Sequence, residues 1–266
     1  ILYASQGMRN WENTLATYQF LESLGLKINV VGDEGCNPLH EIAYKNENLE
    51  ILSYFVNHNV DVNLQDDAGA SPFMYAALGN NLEAVTFLSK YVKDINTKNK
   101  IGCSALALAV DENSAEVVDC ILKKGGDVKT KDKKNNSLAY YLLNGFDSKE
   151  AEVFDAKLKL LEAQGLSMTQ LQNGGNSLLH IAANKNDLDL LKRLEGYKID
   201  INVKNNEGYT ALHIAAMKAK NVDILKYLIE QGAQKGIKTE FEETALTLAN
   251  ENEQLQAHNT SLNFLQ

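Results

Sequence analysis

"GYTALHIAA", residues 208–216, follows "GNSLLHIAA", residues 175–183, by thirty-three positions. Aligning the rest of the chain on this nonamer finds five further copies: "GCNPLHEIA" at 35, "GASPFMYAA" at 69, "GCSALALAV" at 102, "NNSLAYYLL" at 135 and "EETALTLAN" at 242. Successive starts lie 34, 33, 33, 40, 33 and 34 residues apart. A fixed period in this range marks small units stacked on one another, not one core wrapped around a centre. A second mark keeps the same phase: Asn29, Asn63, Asn96 and Asn202 each stand six residues before the glycines at 35, 69, 102 and 208.

Each unit has a physical reading. Asn37, Ser71, Ser104, Ser137, Ser177, Thr210 and Thr244 fall two places after the start. A short oxygen-bearing side chain there accepts from a free amide at a helix N-terminus, so seven N-caps are expected. The only prolines, Pro38 and Pro72, come next, at the first helical position, where a missing N–H costs nothing. A second helix follows in most units, with apolar pairs such as Ile51, Leu52, Phe55, Val56, then Val117, Val118, Ile121, Leu122, and Ile224, Leu225, Leu228, Ile229. That spacing predicts a broad buried stripe. Gly25, Gly125, Gly165 and Gly232 close those helices. Polar stretches such as "DVNLQDDAG", 61–69, suit projecting turns. Two short helices cannot bury such faces alone, so each unit leans on its neighbours.

A helix, a turn, a second helix and a projecting turn in about 33 residues, with "TALHIAA" and "NPLHEIA", resembles the ankyrin repeat. The resemblance covers nearly the whole chain. It implies an all-α solenoid of paired antiparallel helices joined by β-hairpin-like turns. One domain over 1–266 is expected, with repeats starting near 1 (partial), 35, 69, 102, 135, 175, 208 and 242. The resemblance also places His40, His180 and His213 where the family's histidine ties neighbouring repeats by hydrogen bonds, a structural role. Gly126-Asp127-Val128 and Asp61-Val62-Asn63 would lie in the hairpin connections. The 135 unit departs most: Asn135 stands for the glycine, Tyr140 for the histidine, and seven extra residues are expected around "NGFDSKEA", 144–151. The polar end of the 242 unit reads as a terminal cap.

Composition narrows the function classes. The chain has 266 residues, 44% hydrophobic, and no run approaching the roughly eighteen apolar residues of a membrane-spanning helix. No membrane insertion is therefore expected. The net charge of −9 opposes general binding to nucleic acid. Three cysteines without a C-x-x-C pair suggest neither a disulfide framework nor a thiolate metal site and favour a reducing, cytoplasmic compartment. The chain opens on Ile1, which leaves a removed signal peptide or a longer parent protein open.

Catalytic patterns fail one by one. His40-Glu41 begins H-E-x-x-H, but Tyr44 stands where the second histidine belongs. The glycine pairs at 125–126 and 174–175 lack the phosphate-cradling patterns. His58 and His258 are expected on the surface. In the stacking the resemblance implies, Cys36 and Cys103, two repeats apart, are expected to lie beyond the approximately 6 Å Cα separation of a disulfide, and Cys120 is expected as a small buried hydrophobe. No enzyme activity, cofactor or metal is expected.

The resemblance implies a scaffold that binds a protein partner on a concave face lined by hairpin tips and first helices, and a monomer is expected. Tip positions here are Asp33, Glu34; Asp66, Asp67; Lys98, Lys100; Lys131, Lys133, Lys134; Asn206; and Tyr209. The first two hairpins are acidic, the next two basic and the later ones nearly neutral. "KKGGDVKTKDKK", 123–134, carries six lysines against two aspartates. Such a local reversal can steer an acidic partner, although charged turns also serve solubility. Phe73, Tyr75, Tyr209 and Met217 are candidate apolar anchors, with Phe73 at the position of the buried leucine. Docking on another domain of a longer polypeptide is the alternative. Nucleic-acid binding through the lysine hairpins ranks below both, since no aromatic stacking residues accompany the lysines.

Overall fold

A computed structural model describes residues 14–45, 49–112, 114–257 and 261–266. The opening of the partial first unit, residues 1–13, and His258 lie outside the described residues. Fifteen α-helices are present among the described residues. In chain order they are α1 Leu15–Ser23, α2 Pro38–Tyr44, α3 Leu49–Asn57, α4 Pro72–Leu78, α5 Leu82–Leu88, α6 Ala105–Glu112 and α7 Ala115–Lys123. They continue as α8 Leu138–Asn144, α9 Ala151–Ala163, α10 Leu178–Lys185, α11 Leu188–Arg193, α12 Ala211–Lys218, α13 Asp223–Glu230, α14 Ala245–Glu251 and α15 Glu253–Ala257.

The chain divides into two compact units, residues 1–133 with 152–165, and residues 134–151 with 166–266. In the first, the opening helices α2, α4 and α6 stack in sequence and the second helices α1, α3, α5 and α7 stack beside them. In the second, α8, α10, α12 and α14 stack, with α11, α13 and α15 packed on their partners. Within each unit the first helices thus lie on their counterparts one repeat along, and in the first unit the second helices do so as well, the all-α solenoid pattern. The dividing line runs through the 135 repeat, the unit whose sequence departs most.

The predicted caps form for identifiable reasons. Asn37 accepts from Leu39 N at 3.1 Å, Ser71 from Met74 N at 3.4 Å, Ser104 from Ala107 N at 3.3 Å, Thr210 from His213 N at 3.4 Å and Thr244 from Thr247 N at 3.3 Å. Pro38 and Pro72 occupy the first turn as expected. Two positions differ. Ser177 Oγ instead lies 2.7 Å from His180 Nδ1. The Ser137 hydroxyl is buried and has no hydrogen-bond partner among the described residues.

The second-helix stripe is narrower than the apolar pattern suggests. Ile51, Leu52 and Phe55 are buried while Val56 is half-buried, and Leu122 and Ile229 are likewise half-buried. Gly125 closes α7 with φ 96°, and Asn59 does the same after α3 at φ 57°, a substitution the glycine pattern missed. In the 135 unit the extra length is shared between a connection, with a 3-10 turn at Ser148–Glu150, and α9, whose 13 residues exceed the five to nine of the other repeats' second helices. The length of α9 brings Lys157, 4% exposed, to donate from Nζ to Val110 O at 2.8 Å.

Among the described residues the chain turns back between helix pairs without forming a sheet. Isolated bridge residues stand at Lys98 and Ser104, which pair antiparallel, and one repeat later at Lys131 and Ser137. The in-phase asparagines acquire a role here. Asn96 Oδ1 accepts from Asp127 N at 2.8 Å while its Nδ2 donates to Gly125 O at 3.0 Å, and Asn202 makes the same pair with Gln234 N and Gly232 O. Each fastens a hairpin to the end of the following repeat's second helix, so the repeat period is also a hydrogen-bond period. Cys36 and Cys103 are buried and are in no disulfide. Cys120 is only half-buried, not the buried hydrophobe expected, and its Sγ lies 3.5 Å from Thr86 Oγ1.

Candidate partner-binding surface

The hairpins are built alike. A residue three places before the turn glycine folds its side-chain oxygen back onto its own turn. Asp66 Oδ1 accepts from Ala68 N at 2.8 Å and Ala70 N at 2.7 Å; Asn99 Oδ1 accepts from Ile101 N at 3.2 Å and Cys103 N at 2.9 Å. Asn205 and Thr239 repeat the arrangement with Glu207, Tyr209, Phe241 and Glu243. This is the Asx-turn chemistry that makes Asp and Asn good turn residues. It was legible as Asx-x-x-Gly and was not read.

Successive tips are tied together by their main chains. Asp67 N donates to Glu34 O at 2.9 Å, Lys100 N to Ala68 O at 2.8 Å and Lys133 N to Ile101 O at 3.0 Å in the first unit; Asn206 N donates to Gly174 O at 2.8 Å in the second. Close approach at these bonds requires glycine. A Cβ on Gly102 would stand 2.6 Å from Lys133 N.

The ladder sorts the tip side chains into two kinds. Asp66 is 8% exposed, and besides its turn bonds its Oδ2 accepts from Tyr75 Oη at 2.9 Å. Its carboxylate holds the hairpin. Tyr75 is half-buried, and burial first, then its bonds to Cys36 and Asp66, push its hydroxyl above the ordinary tyrosine range. Burial likewise pushes the Cys36 thiol up. Phe73, 3% exposed, is core.

Asp33, Glu34, Asp67, Lys98, Lys100, Lys133 and Lys134 are exposed, and Lys131 is half-buried. Lys98 Nζ reaches back to Lys131 O at 2.7 Å. Asn206 is exposed, whereas Tyr209 and Met217 are half-buried. Two apolar side chains at the tips were missed: Ile101, 64% exposed, and Phe241, 73% exposed, both immediately before the turn position. Comparing that one register position across the repeats was the available signal.

The three motif histidines behave alike. Nδ1 of His40, His180 and His213 each accepts from the backbone N–H of its own N-cap residue at 3.1 Å. Nε2 therefore carries the proton, and it lies 3.2 Å from Ala70 O, 2.9 Å from Tyr209 O and 3.0 Å from Ile237 O, carbonyls of the following hairpin. Burial is the main cause holding all three below the ordinary 6.5. His58 is exposed, as expected, with Nδ1 2.7 Å from Tyr54 O. Among the described residues no group of three His, Cys, Asp or Glu side chains is placed to hold a metal, and no helix is long and apolar enough to cross a membrane.

The sequence matches the family described as ankyrin repeats (3 copies) over residues 3–99, 59–132, 132–239 and 179–260. The chain belongs to the ankyrin-repeat family. Alpha-latrocrustotoxin-Lt1a of Latrodectus tredecimguttatus is 40% identical over 78 residues, 29% of this chain and 5% of that protein. L-asparaginase of Dirofilaria immitis is 38% identical over 72 residues, 27% and 12% of the two chains. Putative ankyrin repeat protein FPV234 of fowlpox virus (strain NVSL) is 36% identical over 63 residues, 23% and 15%. The chain thus spans only a small part of these relatives. The crystal structure of the human ASB11 ankyrin repeat domain superposes with a TM-score of 0.69 at 22% identity, covering 84% of this chain and 96% of that one, a likeness of fold. Ankyrin repeats generally serve as protein–protein interaction modules and are typically non-enzymatic.

Proposed function

We propose that this ankyrin-repeat chain is a non-enzymatic scaffold that binds a protein partner along its hairpin tips and first helices. One observation supports the reading above others: the tips are fastened by main-chain bonds, so the exposed side chains of Asp67, Lys98, Lys100 and Lys133 stand on a fixed frame. A pre-ordered frame loses little entropy on binding. In the second unit Lys134, Asn206, Tyr209 and Met217 supply a more neutral surface. Asp66 supports the surface from beneath.

Charge reversal at Lys100, Lys131, Lys133 and Lys134 tests this. Proteins captured by the unaltered chain are expected to be lost by the reversed one while its helical circular dichroism is unchanged. Equal capture by both rejects the charge-guided surface. Docking on another domain of a longer polypeptide is the second reading, motivated by relatives far longer than the matched segment. Adding the reversed array in trans to the remainder of such a polypeptide tests it: binding insensitive to the array's tips removes that reading.

A further inference from the structure

Resting on that reading, we infer that the first unit's tips take an extended partner segment whose charges come in two blocks, cationic then anionic, with an apolar residue near the change of sign. The exposed side chains run Asp33 and Glu34 on the first tip, Asp67 on the second, Lys98 and Lys100 on the third and Lys133 on the fourth. Their order is held by three consecutive main-chain bonds, Asp67 N to Glu34 O, Lys100 N to Ala68 O and Lys133 N to Ile101 O, none of which involves a side chain.

The spacing selects an extended occupant. Packed helices stand about 8–10 Å apart, so neighbouring tips advance by about that much. A β-like strand rises about 3.3 Å per residue, giving roughly three partner residues per tip. A segment of about nine residues spans the three intervals between the four tips, half against carboxylates and half against ammonium groups. Ile101, 64% exposed between Lys100 and Gly102, offers its side chain to an apolar residue just past the switch. A uniformly anionic polymer such as nucleic acid would gain at Lys100 and Lys133 and be repelled at Glu34 and Asp67. A second copy of the chain in antiparallel register would match signs, but each copy carries a net charge of −9.

The test uses two fluorescein-labelled peptides of identical composition, one with four lysines, a leucine and four glutamates in blocks, the other with the charges alternating. Anisotropy titrations are run at low and at physiological salt. The block peptide is expected to bind about tenfold more tightly than the alternating one, with the preference shrinking as salt screens it. E34K/D67K and K100E/K133E, which change only exposed side chains, should each abolish the preference. The four changes combined reverse four of the six charges in the row, leaving Asp33 and Lys98, and should restore part of the preference. No preference, or a preference unaffected by either pair of substitutions, overturns the inference. So does salt-sensitive dimerisation of the unaltered chain that both pairs abolish, since the row would then be closed by a second copy. Loss of captured protein on charge reversal without a block preference defeats this inference alone; unchanged capture defeats the parent reading.

Discussion

Gly102 and Gly125 separate two reasons for keeping glycine in a repeat. Both hold positive φ, 90° and 96°. A Cβ on Gly125 would meet nothing within 4 Å, while one on Gly102 would stand 2.6 Å from Lys133 N and 3.0 Å from Asp132 C. G125A should therefore cost only the left-handed backbone penalty, about 1–2 kcal/mol. G102A adds a clash with main chain that cannot rotate away, and about 3 kcal/mol or more is expected. Urea denaturation of the two variants checks this, and equal losses would show that the tips yield to a methyl group. The converse holds at Glu242, which stands in the glycine register at φ 61°. E242G should stabilise by about 0.5–1 kcal/mol, since only an exposed ion pair with Lys238 is given up. The histidines supply the pH dependence. Burial lowers their pKa below 6.5, so between 6.5 and that lowered value the unfolded chain holds protons the native one does not. Their stabilisation is complete above 6.5 and is lost as pH falls through this window, with a slope approaching one proton per histidine. H213Q should be less stable at pH 7.5 and lose less stability on going to pH 5.5. A parallel pH profile would remove His213 from the linkage.

Helix ends carry much of the element-scale stability, and Asn81 serves two at once. Its Oδ1 accepts from Ala84 N at 3.0 Å, capping α5, while its Nδ2 donates to Ala43 O at 2.9 Å near the end of α2 in the preceding repeat. The residue is 1% exposed, so water cannot replace either bond. N81A removes a cap and strands a buried carbonyl, for an expected loss of about 2–3 kcal/mol. N81D keeps the acceptor and turns a second oxygen on Ala43 O; it should retain the cap without recovering full stability. If N81D matched the parent in thermal unfolding, the bond to Ala43 would contribute nothing. The five N-cap bonds that form two residues after a repeat start were legible because a cap is a local event, decided by a side chain and amides two or three residues away. Asn81 was not, because half of its role depends on a carbonyl 38 residues earlier. The narrowing of the second-helix stripe has a related cause: Val56, Leu122 and Ile229 are apolar in sequence, yet how far each is covered is set by the neighbouring repeat.

Across the whole molecule, what the sequence revealed follows from the repeat itself. The array was readable because its stabilising contacts recur at one interval, so each copy corroborates the rest. The tip surface was readable as a row of register positions but not as chemistry: Asp66 and Asp67 are adjacent and alike in sequence, and only the turn shows that the first holds the hairpin while the second faces solvent. Ile101 escaped notice because an isolated apolar residue is read by default as core. Nearest-neighbour support also sets how the chain opens. In the first unit α4 lies between α2 and α6 and buries Pro72, Phe73, Met74, Ala76 and Ala77, whereas α15, packed on α14, buries Leu255 alone. When stability is a sum of unit and interface terms, segments with one neighbour open most readily. Hydrogen exchange followed by mass spectrometry should show α15 exchanging at nearly unprotected rates and α4 protected by orders of magnitude more, with α14 between them. N81A, acting where α4 and α5 meet, should raise exchange in those helices and in α2 while leaving α12 and α13 unchanged. Uniform protection along the chain, or a uniform rise on the substitution, would mean that the repeats open as one block and that stability is not passed from neighbour to neighbour.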